Sequence, residues 1–193
     1  MTWYRACRIA LIAGFGLAAV SSAWAQTPDQ DTVARQAVGN LEAYAAYKSG
    51  DYAEARAIWE QLAAAGNTTA MINLSNLYGQ GQGVPADAER ALAYTRDAAE
   101  AGDSRAQYEL GMAYERGEGV EHDLDEASAW FSRAARQGDA DAQFALGVML
   151  ATGYGKGPEH ATPAQRLAAL AWLEKAAAGG VREAEDYLAV LMD

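Results

Sequence analysis

The chain has 193 residues, with 15 Lys+Arg against 26 Asp+Glu, a formal charge of −11, two histidines and one cysteine. A surface this acidic repels phosphate backbones and anionic lipid heads, whose binding needs clustered Lys and Arg, so nucleic acid is excluded as an expected partner. With Cys7 the only thiol, a disulfide framework and a cysteine-based zinc site are excluded as well.

In chain order, the first segment reads as a secretory signal peptide over residues 1–25. Arg5 and Arg8 form a short basic region, residues 9–20 an apolar run, and Ala23-Trp24-Ala25 a small-x-small cleavage site. The mature chain, residues 26–193, is expected to start at Gln26, without Cys7, in the periplasm or secreted. The apolar run is shorter than the roughly 20 residues of a membrane-spanning helix, and no comparable run follows. The expectation is therefore no membrane insertion after signal cleavage; uncleaved, the same segment is an N-terminal anchor.

A first unit is expected over about residues 30–67. One helix runs from Gln30 to Lys48 and meets a second through the turn Ser49-Gly50-Asp51-Tyr52; the second carries Ala55, Ile58 and Ala63 and stops near Gly66. The next two units, 70–105 and 106–141, superimpose at a spacing of 36 residues. Ala70, Leu74, Leu77 and Tyr78 recur as Ala106, Leu110, Ala113 and Tyr114. Gly81, Gly83 and Val84 recur as Gly117, Gly119 and Val120, and the match continues from Asp87 to Asp123, Tyr94 to Trp130 and Gly102 to Gly138. A third copy, 142–183, repeats the opening with Ala142, Leu146 and Gly147, takes six extra residues in a loop over 156–164, and rejoins at Trp172 and Gly180. Residues 184–193 repeat the opening helix alone, as a terminal capping helix.

Within each unit the spacing predicts a helical hairpin. Apolar and small residues three and four apart gather on one face of the first helix. The Gly-x-Gly loop stops that helix, because glycine takes the left-handed conformation that satisfies its last carbonyls. Asp87 and Asp123 stand where the second helix starts, as acids at its positive end. Alanines such as Ala91, Ala98, Ala127 and Ala134 predict close helix approach, with Tyr94, Trp130 and Trp172 filling wider gaps. One hairpin is too short to be stable alone, so the copies must stack.

The motif Ala-x-x-x-Leu-Gly-x-x-Tyr, then Gly-x-Gly-Val, an Asp, a Trp, Ala-Ala and Gly-Asp in a 36-residue frame resembles the Sel1-like, tetratricopeptide-related repeat over about residues 50–193. The resemblance implies an all-α fold, a right-handed superhelical solenoid of helix-turn-helix repeats, and a scaffold that binds a partner protein or peptide. It implies no catalytic residue. Three positions depart from the pattern: Ser75 replaces the glycine of Gly111 and Gly147, Leu150 replaces the tyrosine of Tyr78 and Tyr114, and Gly157 falls where a valine is expected.

Chemistry is poorly supplied. His122 and His160 both fall in loops, no zinc-protease, phosphate-loop or serine-nucleophile motif is present, and no catalytic residue, cofactor or metal is expected. Glu121, Asp123, Asp125 and Glu126 offer oxygens for calcium without the EF-hand pattern, and otherwise read as a solvated helix start. For partner binding, Tyr108 and Phe144 share one place with Ile72, and Met112 shares another with Asn76 and Val148; packing between units is the competing role. Gln80, Arg116 and Thr152 share a third, variable place that no packing rule demands. The loop 156–164 and Tyr154 are further candidates. The leading expectation is an exported adaptor binding on its concave face; the alternatives are a cell-envelope hydrolase acting on peptidoglycan or a β-lactam, and a self-associating structural protein.

Overall fold

The computed structural model describes residues 30–192, so the signal-peptide reading lies outside the described residues. These form α1 (Gln30–Ser49), α2 (Tyr52–Ala64), α3 (Thr68–Gln80), α4 (Ala88–Glu100), α5 (Ser104–Arg116), α6 (Leu124–Arg136), α7 (Ala140–Ala151), a single 3-10 turn (Pro158–His160), α8 (Pro163–Ala178) and α9 (Arg182–Met192). Each helix packs chiefly against its neighbours in the chain. That is the arrangement of a helical-repeat solenoid, in which a hairpin is completed by the next hairpin. No described helix is long and apolar enough to cross a membrane.

Side-chain oxygens set the helix starts. Asp87 and Asp123 cap α4 and α6 as expected, accepting from the backbone N–H groups of Arg90 and of Asp125 and Glu126. Asn67, Asp103 and Asp139 do the same for the first helices, accepting from Ala70, Ala106 and Ala142. These caps start α3, α5 and α7 two residues ahead of the unit boundaries 70, 106 and 142. Each cap is worth about 1 kcal/mol, so a unit opens at its capping residue and not at its first buried alanine. Likewise, the expected loop 156–164 ends at Thr162, which makes a reciprocal capping box with Gln165, and Pro163 and Ala164 form the first turn of α8. The last helix starts at Arg182, ahead of the expected 184.

The inside of each hairpin is filled from the place one residue after Tyr94, Trp130 and Trp172. Trp59, Phe131 and Leu173 are the large side chains excluded from solvent at this place, with Thr95 as their counterpart in the second hairpin. Trp130 is also buried, in the core that holds Ala98, Ala99 and Ala106, and Trp172 is half-buried, with the Arg133 guanidinium 4.1 Å and the Lys175 ammonium 4.2 Å from their ring centres.

This geometry explains the departure at Ser75. A Cβ on Gly111 would stand 2.6 Å from a ring carbon of Phe131, and one on Gly147 would stand 2.8 Å from Leu173, so both hairpins close only on glycine. Opposite Ser75 stands the smaller Thr95, and the two hydroxyls hydrogen-bond at 2.8 Å. The pairs Ser75–Thr95, Gly111–Phe131 and Gly147–Leu173 conserve volume across the hairpin, large facing small.

Successive hairpins are joined by buried amides. Gln107 and Gln143 donate to the carbonyls of Ala99 and Ala135 in the preceding second helix, at 3.0 and 3.1 Å. Gln137 donates to Gln107 and to the Gly102 carbonyl, tying the ends of α4, α5 and α6 together. The Ala99 and Ala135 carbonyls, which already accept from the Gly102 and Gly138 N–H groups in the tight last turn, thus use their second lone pair to bind the next hairpin.

The first hairpin keeps a different register. Ala43, Ala46 and Tyr47, the inward side of α1, stand 31 residues before Leu74, Leu77 and Tyr78 instead of 36. The difference is the missing Gly-x-Gly loop, replaced by Gly50 and Asp51. Where that loop is present, Gly83 takes φ +69, and a Cβ there would lie 2.2 Å from the Cβ of Tyr52. The loop is therefore pressed onto the start of α2, and only glycine fits.

Candidate functional site

The solenoid presents its first helices, α1, α3, α5 and α7, with side chains that the packing does not consume. On α3 these are Asn73, Asn76 and Gln80, the last two exposed. None of the three makes a hydrogen bond with another described residue. Together with Tyr44, Tyr47 and Trp59 they line a groove of about 290 Å³. The Tyr44 and Tyr47 rings stack, with centroids 6.2 Å apart, and Tyr47 leans on Trp59 at 5.6 Å. The Tyr47 hydroxyl donates to Gln82, which joins α1 to the loop after α3. No charged side chain lines the groove.

Trp59 is 1% exposed, and its indole N–H has neither water contact nor an acceptor among the described residues. An unmade buried hydrogen bond costs about 1–3 kcal/mol. The wall of the groove thus holds an unsatisfied donor beside three free carboxamides.

Of the six residues singled out from the sequence, the groove takes Gln80 alone. Tyr108 is half-buried against Phe131, ring centroids 5.8 Å apart, and Phe144 meets Tyr187 edge-on at 6.2 Å. Met112 packs against the core of the α5–α7 region. Thr152 closes α7: its hydroxyl donates to the Val148 carbonyl at 2.9 Å and accepts from the Gly155 N–H. Arg116 is exposed, 3.8 Å from Glu118. Burial, and after it the carboxylates of Asp141 and Asp139, hold the Tyr108 phenol above its ordinary pKa.

The sequence reading missed Tyr44, Tyr47, Trp59 and Asn73. Tyr44 and Tyr47 belong to α1, whose register is shifted, so the 36-residue frame places them wrongly, whereas Trp59 keeps the frame. The missed signal is the Tyr44–Tyr47–Tyr52–Trp59 clustering of aromatics in a unit otherwise rich in alanine.

A larger cleft of about 450 Å³ brings together His122 and His160 with Asp123, Asp125, Tyr154, Lys156 and Gln165. Several of its polar groups already have structural work. Asp123 caps α6, the Gln165 carbonyl accepts from the Thr162 N–H, Tyr154 meets the Ser128 hydroxyl at 3.3 Å, and His160 lies 3.1 Å from Glu159. Among the described residues no three His, Cys, Asp or Glu side chains converge as a metal site. On the side of the second helices, Tyr78 donates to Glu60 at 3.2 Å and accepts from Arg90 at 3.3 Å, a satisfied surface network.

Comparison with known proteins agrees with the repeat geometry. The Sel1 repeat family model matches residues 68–103, 104–139 and 140–181, each starting one residue after a capping Asn or Asp. A Sel1 repeat protein from Oxalobacter formigenes is similar over 72% of this chain and 38% of its own, with 40% identity and a TM-score of 0.66. The protective antigen c5321, present in uropathogenic Escherichia coli strains and displaying an SLR fold, is similar over 83% of this chain and 35% of its own, at 24% identity and a TM-score of 0.67; this likeness concerns fold alone. The chain thus spans little more than a third of the length of these two solved proteins, and no curated protein matches it closely. Sel1 repeat proteins generally mediate protein–protein interaction on a scaffold that typically carries no catalysis. Matched by three consecutive repeats over more than half its length, the chain belongs to the Sel1 repeat proteins.

Proposed function

We propose that the chain is an exported scaffold that holds a partner protein or peptide along the face of its first helices, the concave side of the solenoid, with the groove at Asn73, Asn76 and Gln80 as part of the contact. The observation that carries this reading is the contrast between faces. The amides of α3 have no side-chain partner of their own, whereas Asp123, Tyr154, His160 and Gln165 of the larger cleft and the second-helix network are engaged. Polar groups without a protein partner beside aromatic rings are what a protein interface uses for orientation and anchoring. Further along the same face the character changes to Met112 and Arg116 on α5 and Val148 and Thr152 on α7, so one extended partner meets amide, charged and apolar zones in turn.

The test is capture of the partner by crosslinking the tagged, full-length protein in its own cells, comparing wild type with the Asn76→Ala/Gln80→Ala/Arg116→Ala variant. All three side chains are exposed, so the variant is expected to keep its helical circular dichroism. Loss of one specific partner with the fold intact supports the reading; an unchanged set of partners sinks it. Export is tested by the mass of the recovered chain, expected to start at Gln26.

A second reading, self-association, is favoured by the exposed apolar side chains of α1, with Val33 52%, Val38 53% and Leu41 71% accessible. It predicts a mass that rises with concentration in light scattering and that Leu41→Glu returns to the monomer value.

A further inference from the structure

We propose that the groove between α1 and α3 takes an uncharged, proline-bearing segment of the partner in extended polyproline II form. The Trp59 indole N–H and the carboxamides of Asn73, Asn76 and Gln80 donate to its carbonyls. This rests on the partner-binding reading and names the chemistry of the segment bound.

Three properties of the groove choose this occupant. Its lining bears no charge, so nothing in it favours a carboxylate or an ammonium group, and a charged segment would give up hydration for no opposite partner. The unmet hydrogen-bond demand at its wall is for an acceptor, because an indole N–H can only donate. Its sides are the stacked rings of Tyr44 and Tyr47, a surface on which a proline ring packs. A polyproline II segment carries ring surfaces and outward carbonyls, has no N–H at its prolines to be left unpaired, and is already extended, so it loses little entropy on docking. A segment of ordinary residues would find acceptors for its N–H groups only at the three carboxamides, whose oxygens accept, and would lose more entropy on becoming extended. A sugar chain would need an open aromatic platform, whereas Trp59 is buried and offers only an edge. The ring against Trp59 is Tyr47, so the carbonyl reaches the indole by an outward shift of that ring, which gives up its hydroxyl bond to Gln82.

The experiment is a titration of the ¹⁵N-labelled protein followed by the tryptophan indole N–H signals. The ligands are capped hexaproline, a capped Gly-Ser hexamer and a chitin tetramer. Hexaproline is expected to move the Trp59 signal downfield, as a newly made hydrogen bond does, and to leave Trp130 and Trp172 in place. Asn76→Ala/Gln80→Ala, which changes only exposed amide positions, is expected to weaken hexaproline binding at least about fivefold. A Trp59 signal unmoved by hexaproline, an equal response to the Gly-Ser hexamer, a response to the chitin tetramer alone, or full binding by the double variant would each overturn the proposal. If crosslinking from this face still captures a partner in any of those cases, the partner-binding reading stands and only the proline chemistry fails.

Discussion

Replacing Gly111 by serine should destabilise the protein in its native background and stop doing so when Phe131 is replaced by threonine. The new Cβ would stand 2.6 and 2.7 Å from two ring carbons of Phe131, a side chain with no exposed surface and no room to swing. Overpacking of this kind costs about 1–3 kcal/mol, while a better helix former than glycine returns up to about 0.5–1, for a net loss of about 1–2 kcal/mol. Phe131→Thr alone leaves a cavity and costs about 3–5 kcal/mol. In the double variant the serine enters that cavity and the pair copies Ser75–Thr95, whose hydroxyls meet at 2.8 Å. The double variant should therefore be more stable than the sum of the single changes by about 1–3 kcal/mol. Urea unfolding followed by far-ultraviolet circular dichroism gives all four corners of the cycle. A coupling within about 0.3 kcal/mol of zero would refute the claim that residue volumes are matched across each hairpin.

Other expectations follow from single contacts. Gln107→Met places at α5 the residue that α3 carries as Met71; it removes the bonds to the Ala99 carbonyl and from Gln137, leaving each with its other bond, through Gly102, and the stability loss should be about 1–3 kcal/mol by urea titration, against less than about 0.5 for Gln61→Met on the exposed side of α2. Asp103→Ala removes the side chain that caps α5 and should cost about 1 kcal/mol, recovered in large part by Asp103→Ser. Burial and the nearby Asp141 and Asp139 raise the Tyr108 pKa in the folded chain, so above about pH 10 the unfolded chain gives up its proton first and stability falls as pH rises. Tyr108→Phe, which loses no hydrogen bond among the described residues, should reduce that fall and leave stability at pH 7 nearly unchanged in thermal unfolding across pH 8–11.

What could be read from the sequence was whatever repeats with the same period. The hairpins of α3–α4 and α5–α6, the glycine loops and the caps Asp87 and Asp123 are fixed by local chemistry that recurs at 36 residues, so a residue and its counterpart testify for each other. What was hidden depends on contacts between distant residues. Nothing local marks Phe131 over Trp130 as the ring that enters the hairpin, since both are buried, both fit an apolar face and only the partner glycine decides. Ser75 reads as an imperfection until Thr95 is seen opposite it. The start of each unit was misplaced because the pattern of buried residues begins at Ala70, Ala106 and Ala142, while the helix begins at the cap before it. The groove was the hardest to find. Tyr44, Tyr47 and Trp59 belong to the one hairpin without the Gly-x-Gly loop, and a loop shortened by five residues moves α1 out of the frame that aligns the others.

The central claim is that the partner lies on the first-helix face, and a photoreactive amino acid placed singly at two exposed positions tests it most directly. At residue 76, on that face, the account predicts an adduct with one specific partner in intact cells. At residue 133, on the second-helix face, it predicts none. Adducts from residue 133 with none from residue 76 would contradict the account and move the working surface to the other side of the solenoid.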